Sequence, residues 1–318
     1  MVEEKVPILF IVVPCYNEEE MLPVSYPIFH STLNNLYKKG KISKQSQVLF
    51  VDDGSKDNTW NLLSEYSKSV NISAIKLSHN SGHQNALIAG LSTALKLNAD
   101  ITVTIDADLQ DDINAIEEMI DKYNTGSDIV YGVRSSRNKD SFLKRFTAEM
   151  YYKVLKKLGG TETIYNHADY RLMSKRAVKA LLEYKESNLY LRGLVTKLGF
   201  KSDKVFYERK EREKGESKYP LSKMVALALN GITAMSAKLL SFVFVLSIIF
   251  VLSAIAVFIA ECVTSTLSLE TFSIPLILLS TGAILFALSI HGLYIGGTYI
   301  EVKNRPRFNI EEIISHNE

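Results

Sequence analysis

Asp106 and Asp108 stand two residues apart in Asp106-Ala107-Asp108-Leu109-Gln110-Asp111, directly after the apolar run Ile101–Ile105. Where a chain turns, carboxylates at i and i+2 can both reach one divalent cation. Mg2+ and Mn2+ take oxygen ligands and share their shell with phosphate oxygens. A bare D-x-D also suits a solvated acidic turn, so its weight comes from the strand end it follows. A second acidic segment, Asp52-Asp53-Gly54-Ser55-Lys56-Asp57, follows the run Val48–Val51. Gly54 allows a turn that a Cβ would resist, and Ser55 or Asp57 suits the cap of a following helix. Asp52 and Asp53 fit capping less well; a carboxylate there can accept the N–H of a nucleobase. Pro14-Cys15-Tyr16-Asn17-Glu18 follows the run Ile8–Val13. Pro14 ends a strand ladder, and Tyr16 can stack on a base, although an aromatic at a strand end is more often core. His79 to Ala86 leads into a helical pattern whose first N–H groups favour anions. Gly82 and His83 stand at that start, where His83 serves equally well as a surface histidine.

These segments need elements to hold them. The runs Ile8–Val13, Val48–Val51, Ile72–Leu77, Ile101–Ile105 and Ile129–Val133 are β-branched and lack polar alternation, as buried parallel strands do. Thr59, Leu62, Leu63 and Tyr66 recur at helix spacing, as do Ala86, Leu87, Gly90, Leu91 and Leu95. Phe142–Leu158 and Lys175–Leu182 also read as helices, and Lys201–Lys218 as a charged, exposed loop. Strand–helix alternation implies an α/β domain with right-handed crossovers. Ligands of such sheets bind beyond the carboxyl ends of the strands, where the polar segments above fall.

The chain has 318 residues and a net charge of +2, with no basic signature for nucleic acid. Residues 1–238 carry +5, which suits an anionic membrane face or phosphorylated substrates. Cys15 and Cys262 lie far apart and form neither a disulfide framework nor a zinc cluster. The first ten residues do not have the pattern of a signal peptide. Leu239–Ala260 and Thr271–Ile300 contain no charged residue. Twenty-two helical residues reach roughly 33 Å, enough to cross a hydrocarbon core of ~30 Å. Lys218, Lys223 and Lys238 flank the first run and Lys303, Arg305 and Arg307 the second, while Glu261–Glu270 holds no Lys or Arg. The positive-inside rule then puts both flanks in the cytoplasm. Leu221–Met235 suits the membrane interface. Gly292, Gly296 and Gly297 offer a small face for helix packing.

The order P-x-Y-N-E-E, V-D-D-G-S-x-D-x-T, G-H-Q-x-A and D-A-D-L-Q-D, at these separations, resembles glycosyltransferase family 2 with its GT-A fold. Ala168-Asp169-Tyr170-Arg171-Leu172, the Arg212–Tyr219 segment R-E-K-G-E-S-K-Y and the tail Tyr299–Pro306 resemble the polyprenyl-phosphate glycosyltransferases within it. That group includes bactoprenol glucosyltransferases and, more distantly, dolichyl-phosphate mannose synthases. The chain departs from the pattern at Asp112, where Pro is frequent, and at Tyr170, where Phe is common.

The resemblance implies a Rossmann-like, mainly parallel GT-A catalytic domain over 1–220 and a juxtamembrane segment over 221–238. Two transmembrane helices follow, at about 239–260 and 272–298, then a cytoplasmic tail over 301–318. It implies a multi-pass membrane enzyme moving a sugar, with inversion, from a nucleotide-diphosphate sugar to polyprenyl phosphate. UDP-glucose or UDP-N-acetylglucosamine is the expected donor and GDP-mannose the alternative. Pro14, Tyr16, Glu18, Asp53, Gly82, His83, Asp106 and Ala107 would bind the nucleotide sugar. Asp106, Asp108 and Gln110 would hold Mg2+ or Mn2+. Arg134, Arg145, Arg212 and Lys218 would meet phosphate, and Asp108, Asp169 and Arg212 would take part in the chemistry. Asp169 is the group's candidate base, or else a positioning group for the acceptor. A homo-oligomer is compatible with the group. A processive synthase is disfavoured, because the chain's one Trp, Trp60, is not preceded by Arg. A silent membrane scaffold is disfavoured by the retention of Asp106, Asp108 and Asp169.

Overall fold

The computed structural model describes residues 6–135, 167–186, 190–209 and 269–315, with part of 243–259. All five apolar runs form strands: β1 (Leu9–Cys15), β2 (Gln47–Asp52), β3 (Ile72–Leu77), β4 (Ile101–Thr104) and β5 (Ile129–Arg134). Helices α1 (Leu22–Lys38), α2 (Thr59–Tyr66), α3 (His83–Lys96) and α4 (Ala115–Asn124) connect them in turn. Then follow β6 (His167–Ser174), α5 (Lys175–Leu182), α6 (Leu191–Lys197), β7 (Ser202–Tyr207), α7 (Leu269–Lys303) and β8 (Ile310–Ile314). The strands make one sheet in the order β7-β5-β6-β4-β1-β2-β3-β8.

Strand alternation sorts the core into two layers. Leu9, Ile11 and Val13 of β1 face one layer, with Phe29 and Leu33 of α1, Leu63 of α2 and Ile116 and Met119 of α4. Phe10 and Val12 face the other, with Leu87 and Leu91 of α3, Val178 of α5 and Leu194 of α6. Both faces of β1 are therefore covered, which explains its unbroken apolar sequence. Gly90 lets α3 approach β1 and β2 closely on the second face. A Cβ there would lie 2.3 Å from Val12 Cγ1.

The expected parallel sheet holds for β3-β2-β1-β4. Beyond β4 the pattern changes. β6 runs antiparallel to both β4 and β5, and β7 is parallel to β5. The fold is thus a mixed GT-A-like sheet. β6 was hidden in the sequence because it carries Asp169 and Arg171 between its apolar residues. The whole of β7 lies in the segment expected as a charged loop; as an edge strand with solvent on one side it tolerates the charges of Asp203 and Lys204. β8 lies in the expected tail. It returns to the open edge of β3 in antiparallel register, with Ser78 N–H donating to Asn309 O (3.0 Å). Phe142–Leu158 and Leu221–Met235 fall outside the described residues.

One helix among the described residues is long and apolar enough to cross a membrane, Leu279–Lys303 within α7, of which 6% is buried. The described residues between 243 and 259 are also helical, with Val245, Ile248, Leu252, Ile255 and Ile259 exposed.

The Gly90 contact is testable. Gly90→Ala forces β1 and α3 apart and should lower stability by about 1–3 kcal/mol. A thermal melt with an unchanged midpoint would contradict this packing.

Candidate active site

The loops leaving β1 and β2 are stitched together. Asn17 N–H donates to Ser55 Oγ (2.9 Å), and Lys56 N–H donates back to Asn17 Oδ1 (2.8 Å). Glu18 N–H donates to Thr59 Oγ1 (2.9 Å), and Asn58 N–H to Glu19 Oε2 (2.9 Å). Asp57 accepts from Thr59 N–H (3.0 Å) at the start of α2 and from Glu19 N–H (3.2 Å). The N-cap of α2 is Asn58, without a side-chain cap bond, so Asp57 acts one residue ahead of the cap rather than as the cap expected, and makes a cross-loop contact as well. Ser55 serves the cross-loop contact instead. Asp52 is buried and accepts Ser55 N–H (3.0 Å), closing the turn. Gly54 sits at φ +65°, and a Cβ there would lie 2.4 Å from the backbone of His79. No side chain fits between these two loops. Pro14 is buried beside Val51, and Tyr16 and Glu18 are half-buried at the loop's mouth.

Asp53 reaches the next loop. Its two carboxylate oxygens accept the N–H groups of Ser81 (2.7 Å) and Gly82 (3.0 Å). Burial raises its pKa, while these two bonds and the nearby His83 pull the other way. Gly82 caps α3 and His83 is the first residue of that helix. His83 Nε2 lies 3.7 Å from Asp106 Oδ1 and 3.8 Å from Asp169 Oδ2. Those distances are too long for direct hydrogen bonds and short enough for strong charge coupling. Three segments that are far apart in sequence thus meet around one imidazole.

The Asp106–Asp111 loop is anchored from below. Asp111 is buried and accepts from Tyr207 Oη (2.6 Å) and, more weakly, Arg134 Nη2 (3.5 Å). Tyr170 Oη donates to Asp112 O (2.9 Å), so two positions that depart from the family pattern touch each other. Leu109 takes the left-handed conformation, φ 53°. Ala107 is buried, whereas Asp106 is recessed but keeps 45% of its side chain exposed. Burial raises the Asp106 pKa to about 6; His83 opposes this, and Asp111, Asp108 and Asp169 add to it. Asp108 Oδ1 accepts Gln110 N–H (3.2 Å), and the Gln110 side-chain oxygen accepts from Arg209.

Among the described residues no group of three or more His, Cys, Asp and Glu side chains is placed to hold a metal ion by itself. A hard divalent cation bound here would therefore draw on the aspartate pair and on oxygens of substrate and water. That donor set suits Mg2+ or Mn2+, which retain waters and share phosphate oxygens. The raised pKa of Asp106 is what burial beside further carboxylates produces, and a cation would relieve it.

Asp169 shows the opposite electrostatics. It accepts from Arg171 Nη2 (2.6 Å) and Arg192 Nη2 (3.0 Å). Burial alone would raise its pKa; Arg192, then Arg171 and His83, hold it well below the usual carboxylate range instead. Arg192 carries no motif signal, since it lies 23 residues downstream of Asp169 at the start of α6. Arg171 sits inside the A-D-Y-R-L segment, which by itself gave it no role. Arg145, Arg212 and Lys218 fall outside the described residues. Arg134 lies against Asp111, beneath the acidic loop.

A mixed α/β sheet with an acidic pair beyond its fourth strand defines a GT-A-like sugar transferase. Residues 10–182 match the profile described as Glycosyl transferase family 2. The chain belongs to that family and is a glycosyltransferase using a nucleotide sugar. It is 44% identical to the uncharacterized glycosyltransferase YkoT of Bacillus subtilis, over 96% of this chain and 91% of that one. It is 34% identical to the prophage bactoprenol glucosyl transferase homolog of Escherichia coli, over 95% and 98%. The SfII prophage-derived bactoprenol glucosyl transferase of Shigella flexneri is also 34% identical, over 95% and 97%. The crystal structure of glucosyl-3-phosphoglycerate synthase from Mycobacterium tuberculosis, with phosphoglyceric acid, aligns at TM-score 0.46 and 15% identity, covering 72% and 79%.

Asp53→Asn removes one of the two acceptor oxygens that hold the His79–Gly82 loop. The expected loss is about 1–3 kcal/mol, with faster amide exchange at Ser81 and Gly82. Unchanged protection at both amides would count against the loop anchor.

Proposed function

We propose that this glycosyltransferase transfers a sugar from a UDP-linked donor, glucose or N-acetylglucosamine, to polyprenyl phosphate, with inversion, at the cytoplasmic face of a membrane. The observation that carries the reading is the meeting of Asp106, His83 and Asp169 within 3.8 Å contacts beyond the carboxyl ends of the strands. The full-length similarity to proteins named bactoprenol glucosyl transferase supports the lipid acceptor.

In this reading Pro14, Tyr16 and Glu18 line the nucleoside pocket. Asp53 reaches the base while holding the Ser81–Gly82 amides, whose neighbour His83 faces the diphosphate. Asp106 and Asp108, with Gln110 beside them, would hold Mg2+ or Mn2+. When bound, the cation offsets charge developing on the departing nucleotide. An oxygen of the acceptor phosphate bonds to the anomeric carbon from one side, and the bond to the diphosphate breaks on the other. A phosphate monoester has its second pKa near ~6, so it arrives largely dianionic and needs no base. Asp169, held ionised, is unsuited to accept a proton. Arg134, Arg145, Arg212 and Lys218 are the candidates to offset the charge of two anionic substrates.

The membrane assignment draws on the exposed apolar surface of α7. Its candidate span of 25 residues is roughly 38 Å long, more than a ~30 Å hydrocarbon core. β8 follows α7 directly and belongs to the same sheet as β1–β7. A chain that leaves the domain after β7 and returns at β8 must cross a membrane an even number of times. Together with the uncharged run at 239–260, this supports two spans.

The decisive experiment offers radiolabelled UDP- and GDP-sugars with a short polyprenyl phosphate and counts label in the organic phase. Transfer from one UDP-sugar, abolished by EDTA and restored by Mg2+ or Mn2+, is expected. Absence of lipid-linked label from every donor sinks the proposal. Asp108→Ala should lower transfer by about a hundredfold or more, on the scale of losing a charge-stabilising group. Because Asp106 must shed its proton to bind a cation, apparent Mn2+ affinity should fall as pH drops below about 6, by up to about tenfold per unit. Calorimetric titration between pH 5 and 7.5 reads this directly.

A further inference from the structure

Beneath the acidic loop two phenols meet. Tyr170 of β6 and Tyr207, the last residue of β7, are buried, with their rings 5.3 Å apart and inclined at 76°. β5 runs between these strands and carries Gly132 under both rings. A Cβ there would lie 2.8 Å from Tyr170 Cδ1 and 3.1 Å from Tyr207 Cε1. The missing side chain on β5 is therefore what lets the two phenols come together.

Each phenol ends on the loop. Tyr207 Oη donates to Asp111 Oδ1 (2.6 Å), and Tyr170 Oη donates to Asp112 O (2.9 Å). Both rings lie in the core layer of α1, α2 and α4, whereas α3, which begins at His83, packs on the other face of the sheet. The loop is thus held by the phenols on one side, and on the other Asp106 faces His83.

Asp111 is costly where it stands. Only 3% of its side chain is exposed, and a carboxylate out of water is tolerated only where donors replace its hydration. Tyr207 supplies the short bond and Arg134 a long one (3.5 Å). Between Asp111 and Asp108 the chain passes through Leu109 at φ 53°. A non-glycine residue keeps that left-handed conformation only where its surroundings hold it. Without the phenol, Asp111 is better solvated facing water and Leu109 is less strained at an ordinary φ. Either movement shifts Asp108 relative to Asp106.

We propose that Tyr207, acting through Asp111, and Tyr170, acting through the Asp112 carbonyl, are positioning residues that hold the loop in a conformation where Asp106 and Asp108 face a common cation. This rests on the cation site proposed above. The role is conformational: losing a phenol lowers apparent metal affinity by the fraction of molecules whose loop is still in place. It leaves the chemical step intact once the metal is bound.

The test measures Mn2+ binding to the full chain in detergent with saturating UDP, from the electron paramagnetic resonance signal of free Mn2+. Tyr207→Phe keeps the ring and removes the donor. It should raise the Mn2+ Kd about tenfold, the scale of a hydrogen bond to a charged group, and raise the Mn2+ concentration for half-maximal transfer in parallel. Transfer at saturating Mn2+ should stay within about threefold of the wild type. Tyr170→Phe removes a bond to a neutral acceptor, so its Kd should rise less, by about two- to fivefold; it decides the outcome if Tyr207→Phe does not fold. Leu36→Ala, in the core near the end of α1, lowers stability without touching the loop, and its Mn2+ Kd should stay within about twofold of the wild type. A Kd unmoved in both tyrosine variants overturns the proposal. So does an equal rise in Leu36→Ala, which would make the effect one of general stability. Lost transfer at saturating Mn2+ with the Kd unchanged would place Tyr207 in the chemistry and overturn its positioning role. A wild-type chain that binds no Mn2+ removes the cation site itself, whereas wild-type binding with unmoved variants removes only the phenols.

Discussion

Parallel pairing of β1 with β2 on one side and β4 on the other is the constraint on which the site depends. Register sets Cys15 beside Asp52 and Val12 beside Thr104. Three chain exits consequently open on one edge of the sheet, and each continues directly into a polar loop. Backbone hydrogen bonding among buried β-branched residues, rather than any interaction between the loops, puts the acidic segments within reach of one another. The loops then lock through short-range bonds: Asn17 with Ser55 and Lys56, and Asp53 with Ser81 and Gly82.

Two aspartates at that edge are driven in opposite directions by their surroundings. Asp106 is recessed among other carboxylates, so its charge is disfavoured and its pKa rises to about 6. Asp169 is more enclosed, with 15% of its side chain exposed, but two arginines more than offset the cost of that enclosure. The first is an environment in which the ionised form is disfavoured. The second is that of a fixed anion, useful for holding cations in place and poor at taking up protons. His83 stands between them and links the two halves of the cleft electrostatically.

The end of the chain is part of the same device. β8 pairs with β3, and Asn309 O accepts the Ser78 amide just ahead of the loop that Asp53 holds. Arg307 donates to the Tyr184 carbonyl, and Phe308 and Ile310 pack against the core shared by α3 and α5. The exit of the long apolar helix is thereby tied to the Asp53 side of the cleft, a few residues from Gly82.

Much of this was legible from residue order. The five buried strands announced themselves because both their faces are covered, which leaves unbroken β-branched runs such as Leu9–Val13. The D-x-D segment, the Asp53 turn and the His83 helix start were legible because their chemistry is local: a glycine, a carboxylate and a strand end within a few positions. What the tertiary structure decided is everything that depends on partners distant in sequence. β6 carries a buried arginine and an aspartate in its middle, so neither hydropathy nor periodicity marks it as a strand inserted antiparallel beside β4. Asp111 reads as one more acid until Tyr207 and Arg134 close on it. Arg192 is an ordinary surface arginine in one dimension. It acquires meaning because Gln84 and Arg171 pin the turn before it against Asp169, and long-range contacts of that kind leave no local pattern.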